Sequence, residues 1–134
     1  MASLDYDEGT APEIFIPKEG GAWEESGVEG LTIKTLWVDR RTGASVCLLK
    51  YAAGTRMPRR HVHASNQMMY CLEGRYVYEG GFELNPGDFY LNKKDNPHGP
   101  TIAEEDTILL EIYDGPHYYD SPEFLVPAMG GTKK

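Results

Sequence analysis

Short runs of β-branched, aliphatic and aromatic residues recur along most of the chain, and clusters of turn-forming residues separate them. The runs predict strands over residues 33–38, 45–51, 67–72, 75–78, 88–91 and 107–113. Between them, sequences such as Gly80-Gly81 and Asn85-Pro86-Gly87 favour tight turns. Helical periodicity is nearly absent. Many short strands at this spacing predict an all-β sandwich or small barrel.

The chain of 134 residues is long enough for one domain with its own core. We predict the barrel over residues 31–120, with an N-terminal extension over 1–30 and a C-terminal tail over 121–134. Within the extension, the apolar stretch Ile14-Phe15-Ile16-Pro17 either adds an edge strand to this chain or to a partner, or belongs to a partly ordered tail. We expect a homodimer formed through this N-terminal strand.

Net charge and hydropathy exclude several classes of function. The formal net charge is -8, and an acidic surface repels nucleic-acid phosphates and anionic lipids. No apolar run approaches the roughly 20 residues that a transmembrane helix needs. The acidic N-terminal sequence lacks the features of a secretory signal, and Cys47 and Cys71 show neither metal nor redox spacing. We therefore predict a cytoplasmic protein that binds a small molecule, with no nucleic acid and no membrane as partner.

Three histidines are the first candidates for a functional site. Alternate side chains of a strand point to the same face, so the sequence His61-Val62-His63 predicts two imidazoles on one side. His98 follows another predicted strand and a loop, and a barrel interior can bring it to the same point. A histidine pair of this kind also occurs by chance, with both rings exposed or hydrogen-bonded to the backbone. The residues that accompany these histidines favour a metal site instead.

The histidines belong to a longer pattern of glycines and polar residues, which consists of Gly54, His61, His63, Gln67, Gly74, Gly87, Asp88, Pro97 and His98. This pattern resembles the two motifs of the cupin superfamily, and the resemblance covers about residues 54–113. It implies a single jelly-roll β-barrel, or double-stranded β-helix, that holds one divalent metal ion on His61, His63 and His98. Within the superfamily, the chain looks most similar to dioxygenases that cleave acetylacetone or dihydroxyacetophenone, and also to anti-sigma-factor cupins.

Gln67 departs from the cupin pattern, because many cupins have a glutamate ligand at this position. With imidazole and amide ligands alone, the charge of a divalent ion is not compensated by protein, so the ion favours an anionic oxygen chelate such as an enolate. Iron(II) is the favoured ion because three histidines leave positions for a chelating substrate and dioxygen. Zinc, manganese and nickel are alternatives. Gln67 either binds the metal or orients one of its ligands, and the sequence leaves both open.

Two further residues are candidates for chemistry in the last strand. Glu111 and Tyr113 alternate with Ile108, Leu110 and Ile112, so one of the two sets faces the core. An inward Glu111 is a candidate general base and, with Gln67, a candidate catalytic residue.

Substrate-binding candidates are Arg59, Met69 and Tyr113. Met69 shares the face of Gln67, and Arg59 shares the face of His61 unless a bulge at Arg59-Arg60, predicted from one extra residue after Gly54, re-aims the strand. His117 lies beyond the last predicted strand, so we expect it to be a surface loop residue rather than a further ligand.

The resemblance implies an iron(II)-dependent dioxygenase that cleaves a carbon–carbon bond of a β-diketone or hydroxyketone bound as its enolate. A second hypothesis is a zinc, manganese or nickel enzyme that uses the same Lewis acidity for isomerisation, cyclisation or elimination on a carbonyl substrate. A third is a metal-binding sensor or regulatory protein without turnover.

Overall fold

The computed structural model describes residues 11–119, in which ten strands and no helix are present. The strands are β1 (Trp23–Glu25), β2 (Leu31–Val38), β3 (Ser45–Tyr51), β4 (Arg56–Met57), β5 (Gln67–Glu73), β6 (Tyr76–Tyr78), β7 (Glu83–Leu84), β8 (Phe89–Asn92), β9 (Thr101–Ala103) and β10 (Thr107–Tyr113). This confirms the predicted all-β class. Residue 120 and the predicted tail over 121–134 lie outside the described residues, as do residues 1–10. Nothing in the described range forms a helix that is long and apolar enough to cross a membrane.

The strands form two antiparallel sheets. One has six strands in the order β1-β2-β3-β10-β5-β8, and the other has four in the order β4-β9-β6-β7. β10 lies inside the larger sheet, where it pairs with β3 along its whole length on one side and with β5 on the other. Consecutive strands in the chain are therefore often distant in the sheets, as a jelly-roll barrel requires.

All predicted strands are present, with bounds close to those expected, because each is long enough to show alternation or a continuous apolar run. The sequence did not reveal β1, β4, β7 and β9, which have two or three residues and, unlike Tyr76-Val77-Tyr78 of β6, no continuous run of β-branched and aromatic residues. These short strands form because they pair with a neighbouring strand, and a local sequence pattern does not predict such pairing.

Of the alternatives predicted for the N-terminal stretch, an added edge strand in this chain is not formed. Ile14, Phe15 and Ile16 lie in no strand, and β1 and β8 form the two edges of the larger sheet. The stretch 11–16 instead runs along a surface groove beside Leu36, Trp37 and Val46, and Phe15 remains 86% exposed.

The core lies between the two sheets. Side chains of alternate residues from both sheets point inward and are buried, namely Leu31, Ile33, Cys47, Leu49, Tyr51, Met69, Cys71, Tyr76, Tyr78, Leu84, Ala103 and Leu109. In β10 the inward set continues through Glu111 and Tyr113, while Ile108, Leu110 and Ile112 point outward and are half-buried. The strand thus places a carboxyl group and a phenol at one end of an otherwise apolar barrel.

Candidate metal centre

His61 and His98 lie opposite each other on neighbouring chain segments. Their backbones form an isolated antiparallel bridge, in which His61 N donates to His98 O at 3.0 Å and His98 N donates to His61 O at 2.9 Å. Residues 58–60 belong to no strand, so the predicted bulge at Arg59-Arg60 is a break after β4. Gly99 permits the close approach, since its φ is 92° and a Cβ there would lie 2.9 Å from the carbonyl oxygen of Arg59.

His63 is held by the loop between β8 and β9 and by the segment that follows β10. Its backbone oxygen accepts a hydrogen bond from Asp95 N at 3.0 Å, and the next residue, Ala64, donates from its amide to His117 O at 2.9 Å. Val62 is 38% exposed while His63 is buried, so the two side chains point to opposite sides. The alternation predicted for His61-Val62-His63 is therefore present, although these residues lie outside the regular strands.

The three imidazoles converge through their Nε2 atoms. His61 Nε2 lies 3.1 Å from both His63 Nε2 and His98 Nε2, and the latter two are 2.9 Å apart. These residues form a group of side chains that can share one metal ion. Nitrogen atoms bound at about 2.1 Å lie about 3.0 Å apart at a right angle and about 3.4 Å apart at the tetrahedral angle. The observed spacing fits three adjacent positions of an octahedral ion.

The other ring nitrogens determine which tautomers are present. His61 Nδ1 lies 3.0 Å from the carbonyl oxygen of Arg59, and His63 Nδ1 lies 3.3 Å from that of His117. A carbonyl oxygen only accepts, so each Nδ1 carries the proton and each Nε2 presents a lone pair. His98 Nδ1 lies 2.9 Å from the hydroxyl of Tyr90, which can donate or accept and would accept if His98 adopts the same tautomer. Three lone pairs then face one point, an arrangement that a cation stabilises.

Burial keeps these imidazoles neutral. Desolvation lowers the pKa of His63 and of His98 to about 3, with the neighbouring imidazoles adding to the shift. Desolvation also lowers the pKa of His61. Because only neutral imidazole binds a metal, the site is ready to bind at neutral pH without the loss of a proton.

Gln67, Glu111 and Tyr113 form a buried network beside the histidines. Gln67 Nε2 donates to Glu111 Oε2 at 2.8 Å and to the Tyr113 hydroxyl at 3.1 Å. That hydroxyl lies 3.3 Å from both ring nitrogens of His63. Gln67 Oε1 and Glu111 Oε1 have no donor among the described residues, although both are buried. Each oxygen therefore has an unused capacity to bind a cation or accept a proton.

Glu111 is the carboxyl group of this network. Desolvation at its buried position raises its pKa to about 7, against the opposing effect of its hydrogen bonds with Gln67 and Tyr113. A carboxyl group with this pKa exchanges protons near neutral pH. The predicted candidate base thus faces the interior, on the same side of β10 as Tyr113.

The histidines open into a cavity of about 30 Å³. It is lined by Tyr51, Met57, His61, His63, Gln67, Met69, Tyr76, His98, Gly99, Thr101, Glu111, Tyr113 and Tyr118. The structure brings together all the predicted site residues except Arg59, whose side chain is exposed and does not line the cavity. Only the backbone carbonyl of Arg59 contacts the site, through His61.

His117 is not the surface residue that its position after β10 predicted. It is 2% exposed, its ring stacks on Tyr113 at a centroid distance of 3.7 Å, and Nε2 lies 3.0 Å from the hydroxyl of Ser45. Its carbonyl, rather than its ring, contacts His63. Burial lowers the pKa of His117 to about 3. The sequence analysis also missed Tyr90 and Tyr118, and the aromatic run Pro116-His117-Tyr118-Tyr119 was the one local signal for the latter.

Comparison with known families gives one match that covers most of the chain. Residues 12–117 match the family model described as the ChrR cupin-like domain. None of the curated proteins matches the sequence significantly.

Solved structures share the fold at low sequence identity. An acetylacetone dioxygenase from Acinetobacter johnsonii superposes with a TM-score of 0.66 at 15% identity, covering 92% of this chain and 88% of that one. The complex of SigE with the anti-sigma ChrR from Rhodobacter sphaeroides gives a TM-score of 0.60 at 23% identity, with coverage of 73% and 52%. The polyketide cyclase RemF from Streptomyces resistomycificus gives 0.59 at 18% identity, with coverage of 82% and 89%. At these identities the similarity shows a cupin fold.

Proposed function

Because the chain belongs to the family of ChrR cupin-like domains, we propose that its histidine cluster is the metal centre of a cupin enzyme, an iron(II)-dependent dioxygenase. The proposed substrate is a β-diketone or hydroxyketone that binds as its enolate. The observation that carries the proposal is the convergence of three neutral imidazoles, with Nε2 atoms 2.9–3.1 Å apart, beside the carboxyl group of Glu111.

The donor set supports an anionic substrate. His61, His63 and His98 are neutral, and no carboxylate joins their cluster among the described residues. A divalent ion held by them would supply Lewis acidity to the oxygen atoms of an enolate and, in the case of iron(II), redox chemistry with dioxygen. Iron(II) is the proposed ion, and manganese(II), nickel(II) and zinc are the alternatives.

Gln67 has two candidate roles in this site. Its Nε2 is fixed by Glu111 and Tyr113, so the orientation of the amide is determined and Oε1 is left without a donor. This oxygen would either complete the ligand set or accept a hydrogen bond from a bound hydroxyl group.

Glu111 is the proposed proton acceptor. The acidic hydrogen of a β-diketone lies on the carbon between its carbonyl groups, and formation of the enolate transfers this proton to a base. Glu111 lines the cavity, its Oε1 has no donor among the described residues, and its pKa of about 7 suits both uptake and release at neutral pH. Met69 and Tyr113 would contact the substrate, and Arg59 would assist only from the surface.

The proposed reaction balances without a further reductant. Both atoms of dioxygen add across the bond between one carbonyl carbon and the central carbon of a β-diketone. The products are a carboxylic acid and a 1,2-dicarbonyl compound. Oxygen accepts four electrons, and the two carbons of the broken bond supply them.

Oxygen uptake tests the proposal. Chelator-treated protein is reconstituted with iron(II) under anaerobic conditions and then mixed with oxygen and a panel of β-diketones and hydroxyketones. We expect uptake that depends on both iron and ketone and that is lost in His98→Ala, because this substitution removes one of three ligands. His117→Gln is the matched control, since that ring stays outside the cluster. Iron binding without uptake for any member of the panel would contradict the proposal.

A sensor is the second candidate function, and the family match favours it. In a sensor, the metal would stabilise the fold and no substrate would turn over. His98→Ala would then lower the melting temperature of the metal-loaded protein, while the wild type would consume neither oxygen nor ketone. A non-oxidative isomerase, cyclase or lyase differs from both, since ketone would be consumed under nitrogen.

We also propose that the chain forms a homodimer through the outer face of its larger sheet. Tyr70 and Leu72 of β5 and Phe89 and Leu91 of β8 lie side by side there, and they are 42%, 43%, 61% and 44% exposed. Together they expose on the order of 400 Å² of apolar surface, about half of what each partner buries in a standard interface. This contact is proposed beside the one expected through Ile14–Pro17.

A further inference from the structure

The cavity beside the histidines is much smaller than the substrates of the proposed reaction. Its volume is about 30 Å³, a few times the roughly 10–15 Å³ that a cavity needs to hold one water molecule. A diketone has about seven heavy atoms, and pockets for organic ligands usually measure about 300 Å³ or more. In this conformation the site accommodates a molecule of the size of water or dioxygen.

Tyr118 is one of the side chains that restrict this cavity, and it lies against the histidines. Its ring centroid lies 5.1 Å from that of His63 and 6.3 Å from that of His61, and the ring also packs against the apolar core. Tyr118 belongs to the segment after β10 rather than to either sheet. It is therefore a cavity-lining side chain whose displacement would not break a strand.

The backbone just before Tyr118 is firmly held. Pro116 O accepts a hydrogen bond from the Ser65 hydroxyl at 2.7 Å, and His117 O accepts one from Ala64 N at 2.9 Å. The His117 ring is fixed by Ser45. Because these contacts hold residues 116 and 117, displacement of the Tyr118 side chain leaves the hydrogen bond from His63 Nδ1 to His117 O in place.

We propose that Tyr118 determines access to the metal centre by size. With its ring in place, the site admits a diatomic molecule and excludes a chelating ketone, which enters only when the ring swings away. This inference rests on the proposed function for the identity of the chelating ligand. Tyr118 acts here as a specificity-determining residue.

The test compares the binding rates of two ligands of different size to anaerobic iron(II)-loaded protein. Acetylacetone is the chelating probe and nitric oxide is the diatomic probe, and stopped-flow absorbance follows each. The variants are Tyr118→Ala, Tyr118→Leu and Tyr118→Phe. Tyr119→Ala is the matched control, because Tyr119 is 64% exposed, bonds to Asp95 and does not line the cavity. Metal content and thermal unfolding are measured for each, and Tyr118→Leu keeps an apolar contact with the core.

Tyr118→Ala and Tyr118→Leu should accelerate acetylacetone binding by about tenfold or more, the factor expected when the open state of the wild type is populated at about 10% or less. Nitric oxide binding should change by less than about twofold. Tyr119→Ala should match the wild type with both probes, and Tyr118→Phe, which keeps the ring, should bind acetylacetone more slowly than Tyr118→Ala and Tyr118→Leu. The proposal would be overturned if the substitutions accelerated the binding of both probes equally, or if they left acetylacetone binding unchanged. It would also be overturned if acetylacetone bound to none of the variants. If binding follows this pattern but no oxygen is consumed, the result would contradict the proposed dioxygenase activity and leave the role of Tyr118 standing.

Discussion

Replacing Glu111 by glutamine tests whether burial holds a protonated carboxyl group beside the metal centre. Glutamine has nearly the shape of a protonated glutamate and cannot ionise, so Glu111→Gln imitates one protonation state of the wild type. Glu111 is 2% exposed, and desolvation raises its pKa from 4.5 to about 7. The folded protein therefore retains a proton that the unfolded chain has already lost at neutral pH.

The sign and size of the effect follow from this difference. Between pH 4.5 and 7 the folded state binds more protons at Glu111, so this group's contribution to the free energy of unfolding falls as the pH rises. Each unit of pKa difference corresponds to about 1.4 kcal/mol. Between about pH 5 and pH 8 the contribution falls by about 2.5 kcal/mol. Glu111→Gln lacks this loss, so its stability relative to the wild type should rise by that amount over the same range.

The assay is urea unfolding of chelator-treated protein at the two pH values. Taking the difference between variant and wild type, and then between the two pH values, cancels the pH-independent effects of the substitution and the titration of the histidines. Glu105→Gln is the matched control, because Glu105 is exposed in the turn between β9 and β10. A relative stability of Glu111→Gln that is independent of pH, or that falls toward pH 8, would refute the reasoning.

Three further predictions concern the histidines, the amide and the outer face. Burial holds the pKa of His63, His98 and His117 at about 3. Below about pH 6.5 these histidines bind protons in the unfolded chain but not in the folded chain, so the free energy of unfolding decreases as the pH is lowered. In urea unfolding of the metal-free protein, we expect the free energy of unfolding to be about 2 kcal/mol lower at pH 5.5 than at pH 7.5, once the opposite contribution of Glu111 is included. Equal free energies of unfolding at the two pH values would contradict this. Gln67→Ala should weaken iron(II) binding by about 10- to 100-fold in calorimetric titration, and unchanged affinity would show that the amide neither binds nor orients the ion. Phe89→Lys should convert the dimer to a monomer in analytical ultracentrifugation, whereas a wild-type monomer would exclude the proposed interface.

The longer strands and the histidine cluster could be predicted from the sequence, because the order of neighbouring residues along the chain indicates both. His61 and His63 are two residues apart, so alternation alone places them on one face, and His98 follows from the cupin resemblance. Gln67 and Met69 share a buried face in β5 for the same reason. The family match and the sheets confirm the fold that this pattern implied.

The features that the sequence did not predict depend on contacts between distant segments. Both faces of β10 carry apolar residues, so alternation could not show that Glu111 points inward. His117 is buried by its contact with Ser45, 72 residues earlier in the chain. Tyr118 lies over the histidines because the carbonyls of residues 116 and 117 bond to the segment after His63. No local periodicity records such contacts.

Oxygen-isotope labelling tests the central claim most directly. Iron(II)-loaded protein is mixed with acetylacetone under ¹⁸O₂, and the products are analysed by mass spectrometry. A dioxygenase predicts loss of the diketone with one labelled oxygen atom in the carboxylic acid and one in the dicarbonyl product when exchange with water is suppressed by reduction. Unchanged diketone, or cleavage products that contain oxygen only from water, would contradict the claim.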